Sequence, residues 1–242
     1  MLEGFKRLFS GGTSASAPGW EGIAPWAESK QYGFRGVQSE GFVIDGRMGT
    51  TPWRLEWGPS QRPYIQGQEL RLRSELGLAN DLQVVVMNRV LQEQMERDVF
   101  DQYVEGVQTR IDNQTPPEMR WLVMFPKLPG NEMGPLREHY VALSSMKSWL
   151  LQWLQGPLTQ ALAALRVDAA APVVLMIGRG RLMLRTPLAV ADVQPLQTWL
   201  HVFETAIREA RRVSSVTPES VSPSTQASVW STSALPGDER KR

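Results

Sequence analysis

Three short stretches carry charged side chains at alternate positions along an apolar run or at its ends, and they constrain the fold more than any other feature of this chain. They are Trp53-Arg54-Leu55-Glu56-Trp57, Glu69-Leu70-Arg71-Leu72-Arg73 and Arg181-Leu182-Met183-Leu184-Arg185. Alternation at period 2 is the signature of a strand with one face in the core and one in water. Phe42, Val43 and Ile44 precede the first stretch, and Gly46-Arg47-Met48-Gly49 supplies turn chemistry between them. Three neighbouring antiparallel strands follow, with Arg54 and Glu56 placed to pair with Glu69 or Arg71 across the ladder. Val173 to Ile177 is wholly apolar, and Gly178-Arg179-Gly180 turns it into the third alternating stretch.

Elsewhere the apolar period lengthens. After Asn80 and Asp81, either of which suits a helix cap, Met87, Leu91, Met95, Val99, Tyr103 and Val107 recur at spacings of four. This predicts a helix from about residue 80 to the Pro116-Pro117 stop, although Val84-Val85-Val86 locally favours a strand. Met119 to Phe125 is short, apolar and flanked by prolines, which predicts a buried strand. Leu136, His139, Tyr140, Leu143, Met146, Leu150, Trp153 and Leu154 trace a helical stripe, broken by Gly156-Pro157 and continued by Leu158, Leu162 and Leu165. Leu196, Trp199, Leu200, Phe203, Ile207 and Ala210 form one face of a last helix entered through Asp192 and Pro195.

These elements predict an α+β fold, with antiparallel hairpins in one or two sheets packed against three or four helices. The expected core is Phe42, Ile44, Leu55, Trp57, Leu72, Val86, Leu122, Val123, Leu143, Leu150, Val174, Leu175, Leu184, Trp199 and Phe203. Residues 1–30 read as a short amphipathic segment and a flexible linker, residues 31–212 as the globular body, and residues 213–242 as a disordered Ser/Thr/Pro-rich tail. An echo of strand, Gly-Arg turn, basic strand and helix suggests two similar halves, 31–115 and 116–212.

Composition narrows the chemistry. Zero cysteines remove thiol nucleophiles, disulfides, iron–sulfur clusters and zinc-thiolate sites, and two histidines leave little for metal or triad chemistry. A net charge of +1 from 26 basic and 25 acidic residues carries no strong nucleic-acid signal. No window approaches the roughly 20 apolar residues of a membrane span, and the expected compartment is the cytoplasm.

The candidate sites are few. His139 reads as a boundary residue on its stripe, and His201 with Glu204 three residues on is half a metal pair without a partner. Ser144 and Ser145 fall in a helical pattern and not in a nucleophile elbow. Gly178-Arg179-Gly180 is followed by a strand, so it reads as a hairpin turn and not a phosphate loop. Asp45 and Glu56 are the nearest carboxylate pair, with Asp45 explained by turn chemistry and Glu56 by its arginine neighbours. No cofactor, metal site or catalytic residue emerges. The outward arginines Arg54, Arg71, Arg73, Arg181 and Arg185 are the candidate anion-binding set, with Trp53 and Trp57 on the opposite face. Leu2, Phe5 and Phe9, beside Lys6 and Arg7, offer a partner or weak peripheral membrane contact, and Trp230 is an aromatic anchor in the tail.

The resulting expectation is a non-catalytic interaction protein, an adaptor or scaffold that binds another protein through a sheet face, an edge or its tails. The alternative is an enzyme or anion binder using the outward arginines with Glu56 and Glu69. A bare sheet edge or apolar patch would favour the first reading, and convergence of Arg71, Arg73 and Arg181 on one cavity the second.

Overall fold

The computed structural model describes residues 20–37, 41–104 and 115–216. The alternating stretches are strands of one sheet: β1 (Gly33–Val37), β2 (Gly41–Met48), β3 (Thr51–Pro59), β4 (Gln68–Glu75), β5 (Val84–Asn88), β6 (Tyr140–Ser144), β7 (Val174–Gly178) and β8 (Arg181–Pro187). They run β1-β2-β3-β4-β8-β7-β5-β6, and every neighbouring pair is antiparallel. The β7–β8 hairpin turns on Arg179 (φ 53°) and Gly180 (φ 73°). Two consecutive left-handed residues match the twist of a two-residue hairpin, and this is why glycine follows arginine there.

The helices are α1 (Ile23–Ser29), α2 (Arg89–Val104), α3 (Pro117–Met124), α4 (Lys147–Trp153), α5 (Pro157–Ala163) and α6 (Val193–Val216). The fold is α+β. One sheet face is covered along its length: Phe42, Ile44, Leu55, Leu72, Val86, Leu175 and Leu184 pack with Ile23 of α1, Trp153 of α4, Leu158 of α5 and Phe203 of α6. Trp153 is fully enclosed, and its Nε1 donates to the Ala206 carbonyl at 3.0 Å.

The other face is covered only at one end. There Val85, Met87, Leu143, Val174 and Met176 meet Leu91 and Met95 of α2 and Met119, Trp121 and Leu122 of α3. Gly178 admits this cap, because a Cβ at that position would stand 2.5 Å from the Trp121 ring. The corresponding face of β2, β3 and β4 carries Asp45, Arg54, Glu56, Arg71 and Arg73 and has no such helical cover.

Several local expectations change. Residues 84–88 form β5, and the helix expected from Asn80 begins only at Arg89. Val84 and Val86 enter one core cluster while Val85 and Met87 enter the other, so β5 is apolar from Val84 to Met87 and shows no alternation. β6 is likewise buried at all five positions: the stretch expected as a helix from Leu136 is a strand over Tyr140–Ser144 and becomes helical at Lys147. Met119–Phe125 is not a strand: it lies in and just after α3, whose Val123 (55%) and Met124 (61%) face outward, removing Val123 from the expected core. Trp57 is half-buried, and its Nε1 donates to the Leu188 carbonyl at 2.8 Å.

The folded region also starts earlier and ends later than residues 31–212. Trp20, Ile23, Trp26 and Ala27 are core residues, so residues 20–30 are no linker, and α6 continues to Val216. The strands of 31–115 and 116–212 interleave in one sheet, where β4 pairs with β8 and β5 lies between β7 and β6.

Candidate functional site

The five expected anion-binding arginines all stand on the sheet face that carries Arg54 and Arg73. Register places Arg71 directly opposite Arg185 and Arg54 directly opposite Arg73. Like charges facing one another across a ladder repel, and carboxylates set between them offset the repulsion. Glu69, fully buried, accepts from Arg185 NH1 at 2.6 Å through Oε1, and from the Gln61 amide at 2.8 Å and Arg71 NH1 at 3.3 Å through Oε2. Glu56 lies 3.4 Å from Arg71 Nε and 3.2 Å from Arg73 NH2. Arg181 pairs with Glu75 at 2.5 Å, and Arg54 with Asp45 at 2.6 and 3.1 Å. The bond to Asp45 is the main reason that the Arg54 guanidinium is held above its ordinary value.

Four of these arginines converge. Arg71, Arg73, Arg181 and Arg185 line a cavity of about 130 Å³ together with Glu56 and Met183. Arg54 is not among its lining residues; its bidentate bond to Asp45 closes on itself beside it. Around the cavity, four guanidiniums against Glu56, Glu69 and Glu75 leave one positive charge in excess. Arg185 is 9% exposed, and its Nε has no hydrogen-bond partner among the described residues.

A second polar group was not legible in the sequence. Arg62 Nε donates to Glu118 Oε1 at 2.6 Å, and the Tyr64 hydroxyl donates to the same oxygen. Glu118 is fully buried, and its Oε2 has no partner among the described residues. Burial pushes the Tyr64 hydroxyl far above its ordinary value, and the Glu118 charge adds to it. Burial acts to lower the Arg62 guanidinium, and Glu118 more than offsets that. Arg62 and Tyr64 stand 56 and 54 positions from Glu118. No local pattern links them.

The remaining candidates are accounted for by ordinary structure. His139 is exposed in a turn and not on a helical stripe, and its carbonyl accepts from the Arg89 amide at 2.8 Å. His201 is exposed on α6, and no group of three or more His, Asp or Glu among the described residues is placed to hold a metal. Ser144 ends β6, where its Oγ accepts from the Met146 amide, and Ser145 Oγ accepts from the Gln83 amide and donates to the Asp81 carbonyl. Asp45 is engaged by Arg54, and Glu56 by Arg71 and Arg73. Leu2, Phe5, Phe9 and Trp230 lie outside the described residues. No described helix is long and apolar enough to cross a membrane.

No protein-family model matches the chain, and no curated protein does. Among solved structures, the mycobacterial trehalose monomycolate transport factor A, TtfA, is similar at a TM-score of 0.40 and 11% identity, over 80% of this chain and 93% of that one. A likeness this distant carries no argument about what the present chain does.

Proposed function

We propose that the protein is a non-catalytic binding protein that recognises an acidic group of its partner in the arginine-lined cavity. The observation that carries this reading is the convergence of Arg71, Arg73, Arg181 and Arg185 on one concavity, with a buried guanidinium donor of Arg185 left without a partner. The guanidiniums of Arg73 and Arg181, 47% and 45% exposed, offer donors that a carboxylate or phosphoryl oxygen meets with charge-assisted bonds. The volume of about 130 Å³ is far below the roughly 300–1,000 Å³ of clefts that enclose a whole small molecule. It suits one charged group displayed by something larger. Binding is favoured over catalysis because Glu56 and Glu69 already accept from guanidiniums, which leaves neither carboxylate available as a base.

The test titrates the full chain at low ionic strength with inorganic phosphate and, separately, acetate, reading binding by calorimetry. Binding at millimolar concentration is expected for the wild type and for Arg54→Gln. A loss of at least fivefold is expected for Arg73→Gln, and weakening as salt rises. Which probe binds better assigns phosphoryl or carboxylate. Absence of binding by both probes, or equal weakening by Arg54→Gln and Arg73→Gln, overturns the reading.

A further inference from the structure

The two edges of the sheet are treated differently. The outer edge of β6 is covered: Lys127 bridges to Leu143, and the Leu128 amide donates to the Ala142 carbonyl at 2.8 Å. The outer edge of β1 is bare among the described residues, and a groove of about 620 Å³ runs beside it between α1 and β1, lined by Ala24, Pro25, Glu28, Tyr32 and Phe34. Exposed edges template pairing with another chain unless they are guarded.

We propose that β1 pairs antiparallel with β1 of a second copy of this chain, across a two-fold axis at Phe34. The residue order Tyr32-Gly33-Phe34-Arg35-Gly36 is self-complementary in that register. Tyr32 falls opposite Gly36 of the second copy, Gly33 opposite Arg35, and Phe34 opposite itself. Each large side chain meets a glycine or its own ring. Tyr32 and Phe34 pack against the helix-covered core, Phe34 with its centroid 5.8 Å from Phe42 and Tyr32 4.8 Å from Trp53. A Cβ at Gly36 would meet nothing within 4 Å among the described residues, which leaves room beside it for the second Tyr32. The charges fit as well. Arg35 is exposed and has no ion pair among the described residues. Gly33 lies opposite Asp45 in the β1–β2 ladder. Arg35 of the second copy therefore crosses a bare glycine to reach the Asp45 carboxylate, which it would share with Arg54 of the same chain, bonded to Asp45 at 2.6 and 3.1 Å. Any other centre within Gly33–Val37 loses this match; a two-fold at Arg35, for example, sets the two arginines against each other.

The chain contains no cysteine, so single cysteines report the register directly. Directly opposed antiparallel residues have Cα atoms about 4.5–5.5 Å apart, within disulfide reach. Arg35 and its counterpart are offset by two residues, roughly 7 Å along the strand in addition to the separation across it, and lie out of reach. Sedimentation of the full chain at tens of micromolar should give twice 27.2 kDa. Under mild oxidation Phe34→Cys is expected to give a covalent dimer at least tenfold faster than Arg35→Cys or the exposed control Val190→Cys. Gly36→Val is expected to keep the melting temperature of the monomer and to weaken association at least tenfold. A monomeric chain, cross-linking of Phe34→Cys at the control rate, or undiminished association of Gly36→Val would each overturn the proposal.

Discussion

Replacing Glu69 with glutamine isolates the buried charge that holds the arginine face together. The side chain is fully enclosed, and its two oxygens accept from Arg185 at 2.6 Å, the Gln61 amide at 2.8 Å and Arg71 at 3.3 Å. Glutamine conserves the shape and one acceptor oxygen, but its amide nitrogen then faces a donor whichever way it turns. Arg185 loses its carboxylate partner while remaining 9% exposed, and Arg71 still faces it across the ladder. Removing one partner of a buried ion pair costs about 3–5 kcal/mol, chiefly because the other charge stays buried without compensation. For a chain of this size each kcal/mol moves the melting temperature by about 2–4 °C, so a fall of roughly 6–20 °C is expected. Urea unfolding followed by tryptophan fluorescence measures the free-energy loss and thermal unfolding the fall in melting temperature, with Glu75→Gln as the control. The Glu75–Arg181 pair is solvent-exposed on both sides (61% and 45%), and exposed pairs are worth about 0–1 kcal/mol. If Glu69→Gln costs no more than Glu75→Gln, the reasoning that a buried carboxylate holds opposed arginines in register is refuted. The joint replacement Glu69→Leu with Arg185→Met should recover most of the loss, because it removes both buried charges together.

Further predictions test other parts of the fold. Gly178→Ala puts a Cβ 2.5 Å from the Trp121 ring and should destabilise by about 1–3 kcal/mol in the same unfolding assay, as overpacking does. Asn88 ties two segments together, its Nδ2 donating to the Ala169 carbonyl and its Oδ1 accepting from the Val173 amide, each at 2.9 Å; Asn88→Ala leaves both backbone groups unanswered and should cost about 1–3 kcal/mol by urea unfolding. Burial holds the Glu204 carboxyl above its ordinary value, and the Trp53 bond, Arg208 and His201 only partly offset this. A carboxyl raised in the folded state favours folding while it is protonated and loses that advantage as pH climbs through its folded value. Stability at this site should therefore fall from acid toward neutrality, and Glu204→Gln should be the more stable protein near neutrality and equal to the wild type in acid, as read by urea midpoints across pH.

What the sequence determined by itself was everything that depends on one residue and its near neighbours. Period-2 alternation located β3, β4 and β8 and the face of each that carries arginine, and the stripe from Leu196 to Ala210 located α6. Those signals exist because one side of each element meets water. Where the fold encloses both sides the contrast disappears: β5 and β6 are buried at every position, and their apolar residues merged with the helices that follow. The reverse held at α3, too short to display a stripe, whose outward Val123 and Met124 gave it a strand's uniformity. Tertiary structure alone decided which charges meet. The order β4-β8-β7 brings Arg71 beside Arg185, far away in sequence, and sets Glu69 between them, while Glu118 reaches Arg62 and Tyr64 only because α3 caps one end of the sheet. Side-chain parity along a strand is a local property of the backbone. Strand order and register are settled by long-range burial, which no window of sequence contains.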